Sequence, residues 1–166
     1  MPRYLYLLRH AESASKQLNE NDKDRQLSSR GIKEALMIGT YLFKQNTSLN
    51  IIMSSTAARA LTTANLVADA LKIDTDKISP QEDLYEASPR TLLQFISQLD
   101  DDHQHVMCVA HNPTISYLAE LFTKSEIGEM APGGLSIIYF DISSWKEVSQ
   151  GNGELVRYIF PEMLVE

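Results

Sequence analysis

Arg9 and His10 follow directly on a short apolar run, YLYLL, and His111 follows directly on another, HVMCVA. Arg59 falls shortly after a third run, NIIMS, at the start of a helical pattern. Guanidinium forks and imidazoles in one place point to oxyanion chemistry. Two arginines suit a tetrahedral anion, each charge-assisted hydrogen bond being worth roughly 1.5–3 kcal/mol. A helix beginning just after His111 adds free backbone N–H donors. Positive neighbours lower a histidine pKa below its usual value of about 6.5. A neutral imidazole is a nucleophile and an imidazolium is not, so the set predicts a phosphate-type site with one histidine prepared to attack phosphorus.

Those residues converge only if particular elements carry them. The apolar runs at residues 4–8, 50–54 and 105–110 read as buried strands. A helix is expected over about 30–45, with Ile32, Ala35, Leu36, Gly39, Leu42 and Phe43 on one face and Ser28 or Ser29 as N-cap. A second is expected over about 57–71, with a stripe of Ala57, Ala60, Leu61, Ala64, Ala68 and Leu71 and a cap at Ser55 or Thr56. Residues 73–89 are mixed, with Pro80 and Pro89 as breakers. Helices over 90–99 (Leu92, Leu93 and Ile96 inward) and 113–122 (Asn112 as cap, Pro113 at the first helical position) follow. Two last strands are expected over 135–142 and 155–159, with Gly151-Asn152-Gly153 supplying a turn. This alternation predicts an α/β fold with a mostly parallel sheet and an antiparallel pair at one edge. In such sheets the working rim lies beyond the carboxyl ends of the strands, where Arg9, His10, Arg59 and His111 would meet.

Composition narrows the field. The 166 residues suffice for one domain, 1–166, with 43% apolar and 22% charged residues. Fifteen Lys+Arg against 22 Asp+Glu give a net charge of −7, the wrong sign for a general nucleic-acid or anionic-membrane binder. One cysteine allows neither an intrachain disulfide nor a cysteine zinc cluster, and no run approaches the roughly 20 apolar residues of a membrane span. The opening MPRYLYLLRH reaches Arg9 too soon for a signal peptide, so the cytoplasm is expected. Asp100, Asp101 and Asp102 beside His103 and His105 read as a solvated turn before a strand rather than a metal site. Cys108 reads as inert in a buried strand, and Tyr4, Tyr6 and Phe140 read as core.

The sequence also resembles a known family, segment by segment. LLRHAES resembles the Arg-His-Gly signature of the histidine phosphatase superfamily, with Ala11 where Gly is usual. SSTAARALTTA (54–64) resembles its Ser-Ser-x-x-x-Arg-Ala-x-x-Thr-Ala segment, and VAHNP (109–113) its Gly-His-Asn-Pro segment, with Ala110 in place of Gly. DRQLSSRG (24–31) resembles the family's Arg-x-Leu-Thr-x-x-Gly approach to the first helix. The small size and DLYEASPRTLL (83–93) are similar to the compact SixA-type phosphohistidine phosphatases. The resemblance implies a phosphoglycerate-mutase-like three-layer sandwich with helices on both faces of the sheet. It implies His10 as nucleophile through a phosphohistidine intermediate, Arg9 and Arg59 as phosphoryl clamps and His111 as second imidazole. Glu86 would be the proton donor, and Arg25 would reach the phosphate or its carrier. No metal or cofactor is implied.

With no long insertion to build a lid, an open site would admit a protein surface, so the expected substrate is a phosphohistidine on a protein. Small phosphate monoesters are the alternative substrate, and a non-catalytic phosphate-binding module is the alternative of another class. The expected partner is thus a phosphorylated protein or small phosphate ester, without nucleic acid or membrane. The mutase-type Glu-Arg-His-Tyr run is absent.

Overall fold

The computed structural model describes residues 2–165. Its strands are β1 (Arg3–Arg9), β2 (Ile51–Ser55), β3 (Ile78–Gln81), β4 (His105–Ala110), β5 (Leu135–Phe140) and β6 (Gly153–Ile159). The helices are α1 (Ser29–Lys44), α2 (Ala58–Leu71), α3 (Pro89–Ser97) and α4 (Thr114–Thr123). One six-stranded sheet runs in the order β3-β2-β4-β1-β5-β6. The first four of that order are parallel, while β5 and β6 add an antiparallel edge. The carboxyl ends of β1, β2 and β4 therefore open onto one rim.

Alternation along the central strands splits the core into two layers. Leu5, Leu7, Val106 and Cys108 face Leu92 and Ile96 of α3 and Ile115, Leu118 and Phe122 of α4. Tyr6, Leu8, Met107 and Val109 face Ile38 and Leu42 of α1 and Ala60, Ala64 and Val67 of α2. This is the three-layer α/β arrangement anticipated from the sequence. Among the described residues no helix is long and apolar enough to cross a membrane.

The structure corrects several local readings. Residues 78–81, read as part of a broken stretch, form the edge strand β3, paired with β2 alone. Pro80 is tolerated there because an edge strand does not need every N–H. The buried face of α1 is Gly31, Glu34, Ala35, Ile38, Gly39 and Leu42, whereas Ile32 and Phe43 are 42% and 46% exposed. The stripe is turned because α1 packs on α2 and sets Gly31 against the Glu12 backbone. Its N-cap is Ser28, whose Oγ accepts from the Gly31 amide. Neither Ser55 nor Thr56 is the N-cap of α2; Ala57 occupies that position and Thr56 donates to Glu82 at 2.6 Å. Asn112 does not cap α4 either. Pro113 is the N-cap, and the Asn112 amide instead donates to the Met130 carbonyl at 3.0 Å.

Candidate active site

All six residues singled out in the sequence line one cavity of about 400 Å³: Arg9, His10, Arg25, Arg59, Glu86 and His111. His10 leaves β1, His111 leaves β4, and Arg59 stands in the first turn of α2 just after β2. The two imidazoles lie 5.1 Å apart between ring centroids, tilted by 58°.

The backbone around His10 is held from three sides. The Arg9 amide donates to the Gly134 carbonyl, the His10 amide to the Ala110 carbonyl, and the Gly133 amide to the His10 carbonyl. Gly133 has φ +74°, which a side chain rarely adopts, so this turn calls for glycine. The Ala11 amide donates to Thr63 Oγ1 at 3.0 Å, and that hydroxyl donates to the Arg59 carbonyl at 2.7 Å. Neither Ala11 nor Ala110 has a positive φ, so alanine fits in place of the family's glycine.

His10 is 8% exposed. Its Nδ1 lies 2.8 Å from the Ala11 carbonyl, an obligate acceptor. Nδ1 therefore carries the proton, and Nε2 keeps its lone pair. Burial pulls the pKa of His10 down to about 3; the Ala11 hydrogen bond opposes this, and His111, Arg59 and Arg9 reinforce it. His10 is neutral at physiological pH.

His111 Nε2 lies 2.8 Å from Ser55 Oγ. That oxygen also accepts from the Ala57 amide at 3.2 Å, so Ser55 fixes the ring of His111 against the start of α2. Burial and the Arg59 charge bring the His111 pKa down to about 4, with Asp22 opposing them and Arg9 and Arg25 adding to them. The Tyr85 ring meets His111 edge-on at 5.8 Å.

The cations of the wall are anchored by the protein. Arg9 Nη1 donates to the Met130 carbonyl at 2.8 Å. Arg59 donates through Nη1 to the Asp22 carbonyl at 2.8 Å and through Nη2 to Asp22 Oδ2 at 3.0 Å. Arg25 Nη2 lies 3.1 Å from Asp22 Oδ1. The Nε atoms of Arg9, Arg25 and Arg59 are buried without a hydrogen-bond partner among the described residues. Buried orphan donors are costly, so these arginines are held at an energetic expense.

Glu86 lines the same cavity and is the one exposed wall residue among the described residues. It sits at φ 56°, an unfavourable conformation for a glutamate. Ser13, Tyr85 and Asn112 also line the cavity and were not anticipated. Asp22 was not anticipated either, and Ser55 and Thr63, though part of the matched 54–64 segment, had no role assigned; all three bond to wall residues from behind. Burial and the hydrogen bond to Asp22 push the Tyr85 phenol up to about 12, so it stays a donor. For Asp22 burial alone would raise the pKa, but hydrogen bonds from Tyr85 and Arg59 and the charges of Arg59 and Arg25 outweigh it and hold the carboxyl below its usual range.

The other constellations are structural. Asp101 Oδ1 accepts from the Trp145 amide and Oδ2 from the Ser144 hydroxyl. His105 stacks on Tyr4 at 4.9 Å. Burial pushes the Cys108 thiol up to about 12. No group of three or more potential metal-ligating side chains occurs among the described residues.

Such a cavity, at the carboxyl rim of this sheet, belongs to a phosphoryl-handling α/β protein. The chain belongs to the histidine phosphatase superfamily, branch 1, whose model matches residues 5–90, and it is a phosphohydrolase of that superfamily. An uncharacterised protein of Mycobacterium tuberculosis is 30% identical over 93% of this chain and 99% of its own length. A structure from Agrobacterium tumefaciens, named as a candidate phosphohistidine phosphatase SixA, is 28% identical with a TM-score of 0.82, covering 96% of this chain and 98% of that one. A protein histidine phosphatase SixA complexed with tungstate also has a TM-score of 0.82, covering 98% and 99%; at 19% identity that likeness is one of fold.

Proposed function

We propose that the protein hydrolyses phosphohistidine on a protein substrate, holding the phosphoryl group on His10 between two half-reactions. The observation that carries this reading is the pairing of His10 Nδ1 with the Ala11 carbonyl, which leaves Nε2 as the free nucleophilic nitrogen of a neutral ring. In the first step Nε2 forms a bond to phosphorus while the P–N bond to the substrate imidazole breaks. In the second, water attacks phosphorus, the bond to His10 breaks, and phosphate departs.

The guanidinium groups of Arg9 and Arg59 and the imidazole of His111, all in the cavity wall, are suited to the charge on the transferring oxygens, so positioning and electrostatics supply most of the rate. Glu86 is the proton donor to the leaving group. A phosphoramidate nitrogen is easily protonated, so phosphohistidine needs that donor less than an oxygen ester does. Arg25 reaches the phosphoryl group or its carrier from the loop. The cavity's exposed side at Glu86 and the likeness to structures named SixA, one of them holding the tetrahedral oxyanion tungstate, support a protein-borne substrate.

The test is covalent. After incubation with acetyl phosphate or a phosphohistidine peptide and an alkaline quench, an acid-labile phosphoryl label is expected on His10. His10→Ala should lose both label and turnover while keeping its fold. Hydrolysis by folded His10→Ala rejects the scheme. Absence of both label and phosphate release indicates a binding module, and faster turnover of small monoesters than of the peptide indicates the smaller substrate.

A further inference from the structure

We propose that Asp22 is a positioning residue that presets the phosphoryl-binding walls of the cavity. The proposal rests on the phosphoryl-transfer reading above. Asp22 is not itself one of the wall residues, yet it bonds to three of them, drawn from three separate segments. Its backbone carbonyl and Oδ2 together take the two terminal nitrogens of Arg59. Both terminal nitrogens of the guanidinium are thereby tied to one loop, which fixes the plane of the Arg59 head group at the cavity wall. Oδ1 holds Arg25 at 3.1 Å. Oδ2 also accepts from Tyr85 Oη at 2.9 Å, and the ring of Tyr85 abuts His111.

Without this carboxylate, the Arg59 and Arg25 guanidiniums would repel one another and rotate on long, flexible stems. Held by it, they are oriented before substrate arrives, which is what electrostatic catalysis requires. The charge of Asp22 also offsets part of the cationic excess. Orientation and charge therefore act in opposite directions on binding, and that separates a positioning role from a merely structural one.

The experiment compares the wild type with Asp22→Ala, Asp22→Asn and Asp22→Glu. Phosphate release from acetyl phosphate, tungstate binding by calorimetry, thermal unfolding, and the Arg59 Nε–H resonance by NMR are read on each. Turnover of Asp22→Ala should fall about 10–100-fold, with tungstate affinity unchanged or tighter and an unchanged melt. The Arg59 resonance should broaden, and Asp22→Glu should regain part of the turnover. If Asp22→Ala does not fold, Asp22→Asn carries the same expectation, because it keeps an acceptor for Tyr85 and loses the charge. Turnover within twofold of wild type, or tungstate affinity falling in step with turnover, overturns the proposal. If the wild type itself releases no phosphate and labels no histidine, the functional reading fails. The Arg59 resonance still decides the positioning role, since an unaltered line in Asp22→Ala refutes it.

Discussion

Thr63 Oγ1 accepts the Ala11 amide at 3.0 Å and so ties the peptide that orients His10 to helix α2. The same hydroxyl donates to the carbonyl of Arg59, so one side chain spans the nucleophile loop and the helix turn that carries the clamp. Thr63 is fully buried. Thr63→Val keeps the shape and removes the hydroxyl, leaving the Ala11 amide buried without its acceptor. The expected cost is about 1–3 kcal/mol of stability, with a fall in turnover as the Ala11 carbonyl loses its fixed position. Thr63→Ser should restore most of both. Urea unfolding and steady-state kinetics on the three proteins check this, and wild-type stability for the valine variant would contradict it.

Glu86 offers a different contrast. Its φ of 56° is a conformation that costs a non-glycine residue roughly 1 kcal/mol or more. Glu86→Gly should therefore raise the melting temperature slightly while lowering hydrolysis of phosphate monoesters. Glu86→Gln should lower monoester hydrolysis far more than phosphohistidine hydrolysis. Equal losses on the two substrates would remove the argument that a nitrogen leaving group needs little help.

What could be read in advance follows from which contacts are local. A charged residue directly after an apolar run must emerge at a strand end, and this places Arg9, His10 and His111 from the sequence alone. Arg59 was legible as an arginine in the first turn of a helix, where the macrodipole disfavours it unless an anion is near. Thr63 matches the threonine of the family's 54–64 segment, but its bonds to Ala11 and Arg59 need the fold before they can be read. Asp22 left none, because an aspartate in a polar loop looks solvated until Arg59, Arg25 and Tyr85 arrive from elsewhere in the chain. The α1 face was misjudged at Ile32 and Phe43 because periodicity cannot see that Gly31 must meet Glu12. The edge strand β3 was hidden by Pro80, which excludes a central strand but not an edge one.

The two imidazoles make stability depend on pH in a definite window. His10 and His111 titrate near 3 and 4 in the folded protein and near 6.5 when unfolded. Between these limits the unfolded chain binds more protons, so acid favours unfolding. Their contribution is fully present above about pH 7 and is lost as pH falls from about 6.5 toward 4, by up to roughly 1.4 kcal/mol per pH unit for each histidine. Urea midpoints at pH 7.5 and 5.0 should differ in this sense, and His111→Asn should show a smaller drop. Imidazole NMR should find His10 neutral at pH 5, and a His10 titration near 6.5 would refute the assignment.

Gly31 tests how far the nucleophile depends on the start of α1. A Cβ built there would sit 2.0 Å from the Glu12 carbonyl oxygen and 3.0 Å from its carbon. Both atoms are backbone, so no flexible side chain can give way. Glu12 is also pinned on either side: its amide donates to Glu34 Oε1 at 2.9 Å, and its carbonyl accepts the Ser28 amide at 3.0 Å. Gly31→Ala gains at most about 1 kcal/mol of helix propensity and must displace a loop that leads straight back through Ala11 to His10. The overpacking cost of roughly 1–3 kcal/mol should win, lowering the melting temperature. The labelling rate of His10 should fall in the same variant, although residue 31 does not line the cavity. A variant as stable and as readily phosphorylated as wild type would mean that the loop carrying His10 is not braced by this helix.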